Sequence, residues 1–130
     1  MIPKFRAWEK ETQTMLDVSL IDFKKSVLVG EHWEFGETNF INFDDVNLMQ
    51  STGLFDKNGK EIFEKDILDY NGRKVIVKRH GSYASFIYEF VDELQNRKTE
   101  WKPLYLSYYH FKIIGNVYQN PGLLELEVEE

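Results

Sequence analysis

The 130-residue sequence contains no cysteine. That excludes a disulfide framework and thiolate chemistry, so the fold must rest on its core and its hydrogen bonds. No apolar run is long enough to span a bilayer and no signal-peptide pattern is present, which gives the expectation of a soluble cytoplasmic protein. An excess of positive charge is missing too. Sixteen Lys and Arg face 22 Asp and Glu, a net charge of −6, which argues against a dedicated duplex-DNA binder or an anionic-membrane binder. It leaves room for a local basic patch. Only three histidines occur, His32, His80 and His110. They are not spaced as paired ligands, so a zinc site would need carboxylates to complete it. There is no Gly-x-Ser-x-Gly elbow and no dinucleotide fingerprint.

What the chain does have is aromatic residues: ten Phe, seven Tyr and three Trp. Such enrichment favours strands over helices. A chain of this length forms one domain, or two small lobes, and buries about two-thirds of its unfolded surface. The densest turn chemistry lies in Ser51–Tyr70. Asp56-Lys-Asn-Gly59 reads as a turn, because Asp and Asn bond their own backbone and Gly59 tolerates φ > 0. Glu64-Lys65-Asp66 makes a second polar break, and Asn71-Gly72 between two apolar runs signals a type I′ hairpin turn. A valine at Gly72 is therefore expected to destabilise.

Chemical motifs in the same stretch fail on spacing. Gly53…Gly59-Lys60-Glu61 is one residue too long for a phosphate loop, and Glu61 stands where a hydroxyl should reach Mg²⁺. Asp56-Lys-Asn-Gly brings its glycine two places early for a calcium loop and lacks the closing glutamate. The acids Asp56, Glu61, Glu64 and Asp66 form a cluster that reads first as solvated turn residues, with a metal-dependent enzyme using Glu64 or Asp66 as the alternative. The sequence gives no catalytic, cofactor or metal residue to name, and the expectation is that the chain is not an enzyme.

Met49–Leu68, with its Ser51-Thr-Gly-Leu-Phe-Asp-Lys-Asn-Gly-Lys-Glu-Ile-Phe-Glu-Lys-Asp core, resembles the signature of the YopX family. Ile2–Glu11 resembles that family's N-terminus, and Ile113-Ile-Gly-Asn-Val-Tyr-Gln-Asn-Pro-Gly-Leu-Leu124 its C-terminal motif. The three segments keep the family's order and span nearly the whole chain. The resemblance implies a mostly β protein carried by phages and prophages in a bacterial host, with no assigned activity and an unknown host or phage partner. Where this chain has Lys65 the family usually has Gly. If that glycine serves φ > 0, Lys65 is strained by on the order of 1 kcal/mol and Lys65→Gly is neutral or stabilising.

The expected architecture is one mainly β domain with little helix. An N-terminal β lobe with a hairpin extension covers about residues 1–50. The signature turn and a small SH3-like barrel, or a strongly bent antiparallel sheet, cover about 51–122. An acidic tail of 123–130 could be an edge strand, a short helix or frayed. Phe5–Ala7 and Met15–Leu20 flank a polar turn, and Val27–Val29, Asn39–Phe43 and Val46–Gln50 are further strands. Arg73–His80 places Val75 and Val77 on one face, and Lys74, Ile76 and Lys78 on the other. Ala84–Phe90 follows, then an exposed loop or helical turn over Val91–Lys98, and a last long strand over His110–Tyr118. The basic strand beside Tyr83, Phe86 and Tyr88 offers an alternative function, a single-stranded nucleic-acid binder using Arg73, Lys74, Lys78 and Arg79. The plainer reading is an exposed strand face over an aromatic core. Leu104–Phe111, read as a strand, is apolar or aromatic on both faces, which predicts a homo-oligomer covering the outer face.

Overall fold

The computed structural model describes residues 4–81, 85–94 and 101–125. The chain forms two compact units, dividing after Ser51. Twelve strands and five single 3₁₀ turns make up its regular structure among the described residues, with no α-helix.

The first unit is an antiparallel sheet. β1 (Phe5–Glu9) and β2 (Thr14–Asp22) form the expected hairpin. β3 (Val27–His32) returns through the Lys24-Lys25 turn, where the Asp22 carboxylate accepts the Lys25 amide at 3.0 Å. β4 (Gly36–Glu37) and β5 (Ile41–Asn42) both pair with β3, and β6 (Val46–Phe55) pairs with β1. The N-terminal part is thus a full sheet rather than a hairpin extension. Ala7, Leu28 and Val46 form its core, with Val18, Ile21, Ile41, Phe43 and Leu48 packed around them.

β6 runs four residues beyond the unit boundary and there pairs with β7 (Glu61–Phe63). The second unit continues with β8 (Asp66–Tyr70), β9 (Arg73–His80), β10 (Ser85–Phe90), β11 (Lys102–Pro103) and β12 (Lys112–Asn116). These five strands form a sheet in the order β11-β10-β9-β8-β12. Its core holds Ile62, Leu68, Val75, Val77, Tyr88, Phe90, Leu104 and Phe111.

The sheet is open, which corrects the SH3-like barrel alternative. Among the described residues, β11 and β12 end the order and do not pair. β11 is only two residues long, and Pro103 has no amide to donate. The chain that would have to bridge the gap coils instead. Leu104–Leu106 and Tyr108–His110 are 3₁₀ turns, not the strand that alternation suggested. Leu104 and Phe111 are fully buried and Tyr108 partly so, at helical rather than alternating spacing, while Tyr105, Leu106 and Tyr109 face solvent. The two-faced strand from which a homo-oligomer was inferred is therefore absent. The last strand is shorter than expected because these turns precede it and Asn116 opens another turn after it. Pro121–Leu124 is a 3₁₀ turn with proline at its start. Val91–Glu93 is likewise 3₁₀. Residues 95–98 of the proposed Val91–Lys98 loop, Tyr83, and the tail from Leu126 lie outside the described residues.

Asn71 and Gly72 have φ of 50° and 87°, the backbone of a type I′ turn, and Tyr70 pairs directly with Arg73 across it. No atom lies within 4 Å of a Cβ built at Gly72. The cost of Gly72→Val is thus purely conformational, and a loss of about 1–3 kcal/mol is expected in chemical denaturation.

Candidate functional site

The signature stretch and the basic strand are the two places where the sequence concentrates charge. Asp56 follows β6 and is 5% exposed. Its Oδ1 accepts the amides of Asn58 and Lys60, both at 2.9 Å, which closes the turn. Its Oδ2 accepts the amide of Ile113 at 2.9 Å, at the start of β12. The Lys57 amide donates to the Phe111 carbonyl at 2.9 Å beside it. Burial raises the Asp56 pKa, but the Ile113, Lys60 and Asn58 amides and the Lys60 charge outweigh it, and the net shift is downward.

Asp66 is 1% exposed, and its Oδ2 accepts the Phe63 amide at 2.8 Å across the Glu64-Lys65 turn. Lys65 has φ of 69°, the left-handed conformation that the family glycine implied. Its amide donates to the Val77 carbonyl at 2.8 Å and its carbonyl accepts the Val117 amide at 3.0 Å. Glycine keeps both bonds and removes the Cβ strain. Lys65→Gly is therefore expected to raise stability by about 0.5–1 kcal/mol, read from the denaturation midpoint at unchanged m-value. Burial and the Glu64 carboxylate push the Tyr118 hydroxyl pKa up.

The C-terminal motif is a third knot. The Asn116 Oδ1 accepts the Tyr118 and Gln119 amides, and its Nδ2 donates to Gln119 Oε1 at 2.7 Å. The Asn120 side chain accepts the Asn116 amide and lies over Gly115. The signature and the C-terminal motif are thus one network of side chain–backbone bonds. Among the described residues, no group of three His, Asp or Glu side chains is placed to hold a metal ion.

The basic strand is β9, central in its sheet rather than an edge. Alternation divides its cations. Arg73 and Arg79 share the Val75 and Val77 face, and Lys74 and Lys78 share that of Ile76. The Arg73 guanidinium grips Asp92 with two bonds, 3.1 and 2.8 Å, reaches Glu93 at 3.3 Å and lies 3.7 Å from the Phe90 ring centroid. Lys78 pairs with Glu89 at 3.1 Å. Lys74 stands directly opposite Asp69 in the ladder, and Arg79 opposite Phe86. The four residues do not form one basic track. Phe86, Tyr88 and Phe90 lie on a single face as alternation predicted; Tyr88 and Phe90 belong to the core and Phe86 packs against it, partly buried. Of the histidines, His80 packs on Trp101 and His110 on Tyr109 and Tyr70.

A further site lies in the first unit. The ladder puts Glu9, Thr14 and Leu16 on one face of β1 and β2. Gly30 faces Val18, so His32, two residues on, shares that face. Together with Phe35 and Asn39 these residues line a cavity of about 400 Å³, within the range of ligand sites; Glu37 also borders it, but it stands opposite Glu31 in the ladder, on the other face from His32. The His32 Nδ1 accepts the Glu34 and Phe35 amides at 3.1 and 3.3 Å, and the Phe35 ring stacks on the imidazole with centroids 4.8 Å apart. Trp33 is 89% exposed and Phe35 79%. In the sequence, residues 31–37 read only as a polar aromatic loop.

Two open antiparallel sheets, with turns knotted by buried Asp and Asn side chains and an aromatic-tipped hairpin, define a class of small all-β protein. The chain belongs to the YopX family: the family model described as YopX protein matches residues 4–125. It is similar to the crystal structure of protein EF1440 from Enterococcus faecalis, at 29% identity and a TM-score of 0.55, over 96% of this chain and 99% of that one. No curated protein matches. No helix among the described residues is long and apolar enough to cross a membrane.

Proposed function

We propose that the chain is a non-enzymatic interaction protein of phage or prophage origin, acting in the cytoplasm of a bacterial host. The observation that carries this reading is how its conspicuous groups are used. Asp56 and Asp66 hold backbone amides in turns. The large apolar side chains exposed in the first unit instead include Trp33 and Phe35 on one hairpin tip. Exposed tryptophan and phenylalanine are typical anchors of protein interfaces. Affinity capture from lysogenic host cells should recover a specific protein. Recovery of none, with metal-dependent thermal stabilisation and turnover of a metabolite, would replace this reading with an enzyme.

Self-association remains part of the proposal on different grounds from the two-faced strand. Tyr105, Leu106 and Tyr109 are each more than half exposed on neighbouring 3₁₀ turns, and tyrosine suits interfaces through its apolar body and polar tip. A concentration-dependent mass in light scattering supports it, and a strictly monomeric mass at high concentration removes it.

A further inference from the structure

We infer that Asn71 is a site of spontaneous backbone modification in the folded protein. It deamidates through a cyclic imide to aspartate and isoaspartate, while Asn58, in the same Asn-Gly dipeptide, is protected. Of the asparagines, only Asn58 and Asn71 precede glycine. That neighbour matters because a glycine amide nitrogen is not shielded by a Cβ. Both asparagines and both glycines are exposed. Gly59 and Gly72 have φ of 81° and 87°, and nothing lies within 4 Å of a Cβ built at either. Sequence, exposure and glycine conformation therefore do not separate the two sites. Hydrogen bonding does.

The Gly59 amide donates to the Asp56 carbonyl at 3.0 Å, and the Asp56 amide to the Lys60 carbonyl at 2.8 Å. The Asp56 carboxylate holds the Asn58 and Lys60 amides on either side, both at 2.9 Å. Opening the backbone around Asn58 must break this set, and the nitrogen that would attack is itself bonded. Gly72 differs. A hairpin turn of two residues is closed between its flanking residues, here Tyr70 and Arg73, which leaves the amide of its second residue unused. Neither the Gly72 amide nor the Asn71 side chain is engaged by another described residue. Asn71 is also an L-residue at φ of 50°, a conformation it leaves without steric cost. An exposed tip of two residues opens cheaply.

The Gly72 nitrogen gives up its proton and attacks Asn71 Cγ. The new N–Cγ bond closes a five-membered imide, and the Cγ–Nδ2 bond breaks to release ammonia. Water then opens the imide at either carbonyl, so the net change is one water in and one ammonia out. Opening at Cγ gives aspartate. Opening at the main-chain carbonyl gives isoaspartate, which routes the backbone through Cβ and Cγ. The extra atom lies between Tyr70 and Arg73, in a turn whose twist fits two ordinary residues.

The test incubates the full chain at pH 8 and 37 °C, beside the same chain in guanidinium chloride. Peptide mapping with electron-transfer fragmentation follows both asparagines and tells aspartate from isoaspartate. In the folded chain Asn71 should convert at least fivefold faster than Asn58, with isoaspartate among its products. In denaturant, where neither turn exists, the two rates should come within threefold of each other. A smaller ratio in the folded chain, or the same ratio persisting in denaturant, would overturn the inference. So would an Asn71 that stays intact in the folded chain while the denatured chain converts. Aspartate without isoaspartate would also overturn it, because direct hydrolysis of the side chain gives aspartate alone.

Discussion

Asp56→Ala is expected to lower the unfolding free energy by about 3–5 kcal/mol, a large share of the total for a domain of this size. The carboxylate accepts three backbone amides and is almost fully buried. Bonds to a charged acceptor contribute about 1.5–3 kcal/mol each, and their loss leaves donors unsatisfied in a site closed to water. Asp56→Asn is the informative companion. It keeps an oxygen for Asn58 and Lys60 but turns an NH₂ toward the Ile113 amide, so it should lose roughly half as much. The native pKa of Asp56 lies below the unfolded one. Its contribution is therefore complete above about pH 4 and is lost as pH falls through the native value. Wild-type stability should drop in that acid window, and the Asn variant should show a shallower slope. Equal slopes would mean that Asp56 does not carry the acid sensitivity.

Gly115→Val should cost about 2–4 kcal/mol. A Cβ built at Gly115 lies 2.7 Å from Asn120 Cγ, and real Cβ atoms do not come that close. Asn120 cannot simply swing away, because its Oδ1 accepts the Asn116 amide. Displacing it also loosens the turn that Asn116 holds through Tyr118 and Gln119. The second mutation of a cycle separates the two costs. With Asn120→Ala already in place, the steric part should largely vanish, and Gly115→Val should become markedly cheaper. Full additivity would place the strain elsewhere.

Local chemistry was legible in the sequence, and long-range register was not. Asn71-Gly72 announced its turn because the required φ is a property of those two residues. The left-handed Lys65 was visible only through the glycine that the family carries there. Leu104–Phe111 was misread because an aromatic run fits alternation as easily as helical spacing. Only the burial of Leu104, Tyr108 and Phe111 together chooses between them. The basic strand looked like a surface, yet its neighbours β8 and β10 make it central and supply Glu89 against Lys78. The cavity needed its strands in register before Glu9 and His32, more than twenty residues apart in sequence, lined the same space.

The Asp56 carboxylate reaches across 57 positions to Ile113, and that reach has a consequence for biosynthesis. The ladder partners of β1 to β5 lie within β1 to β6 and are made in the first stretch of synthesis. The signature turns, by contrast, wait for Phe111, Ile113 and Val117 before their last acceptors and donors exist. Until those residues leave the ribosome, Ile62, Leu68 and Val75 have no Phe111 to close over them. The nascent second unit thus passes through an interval with its apolar strands uncovered, when it is most open to chaperones, proteases and pairing with another chain.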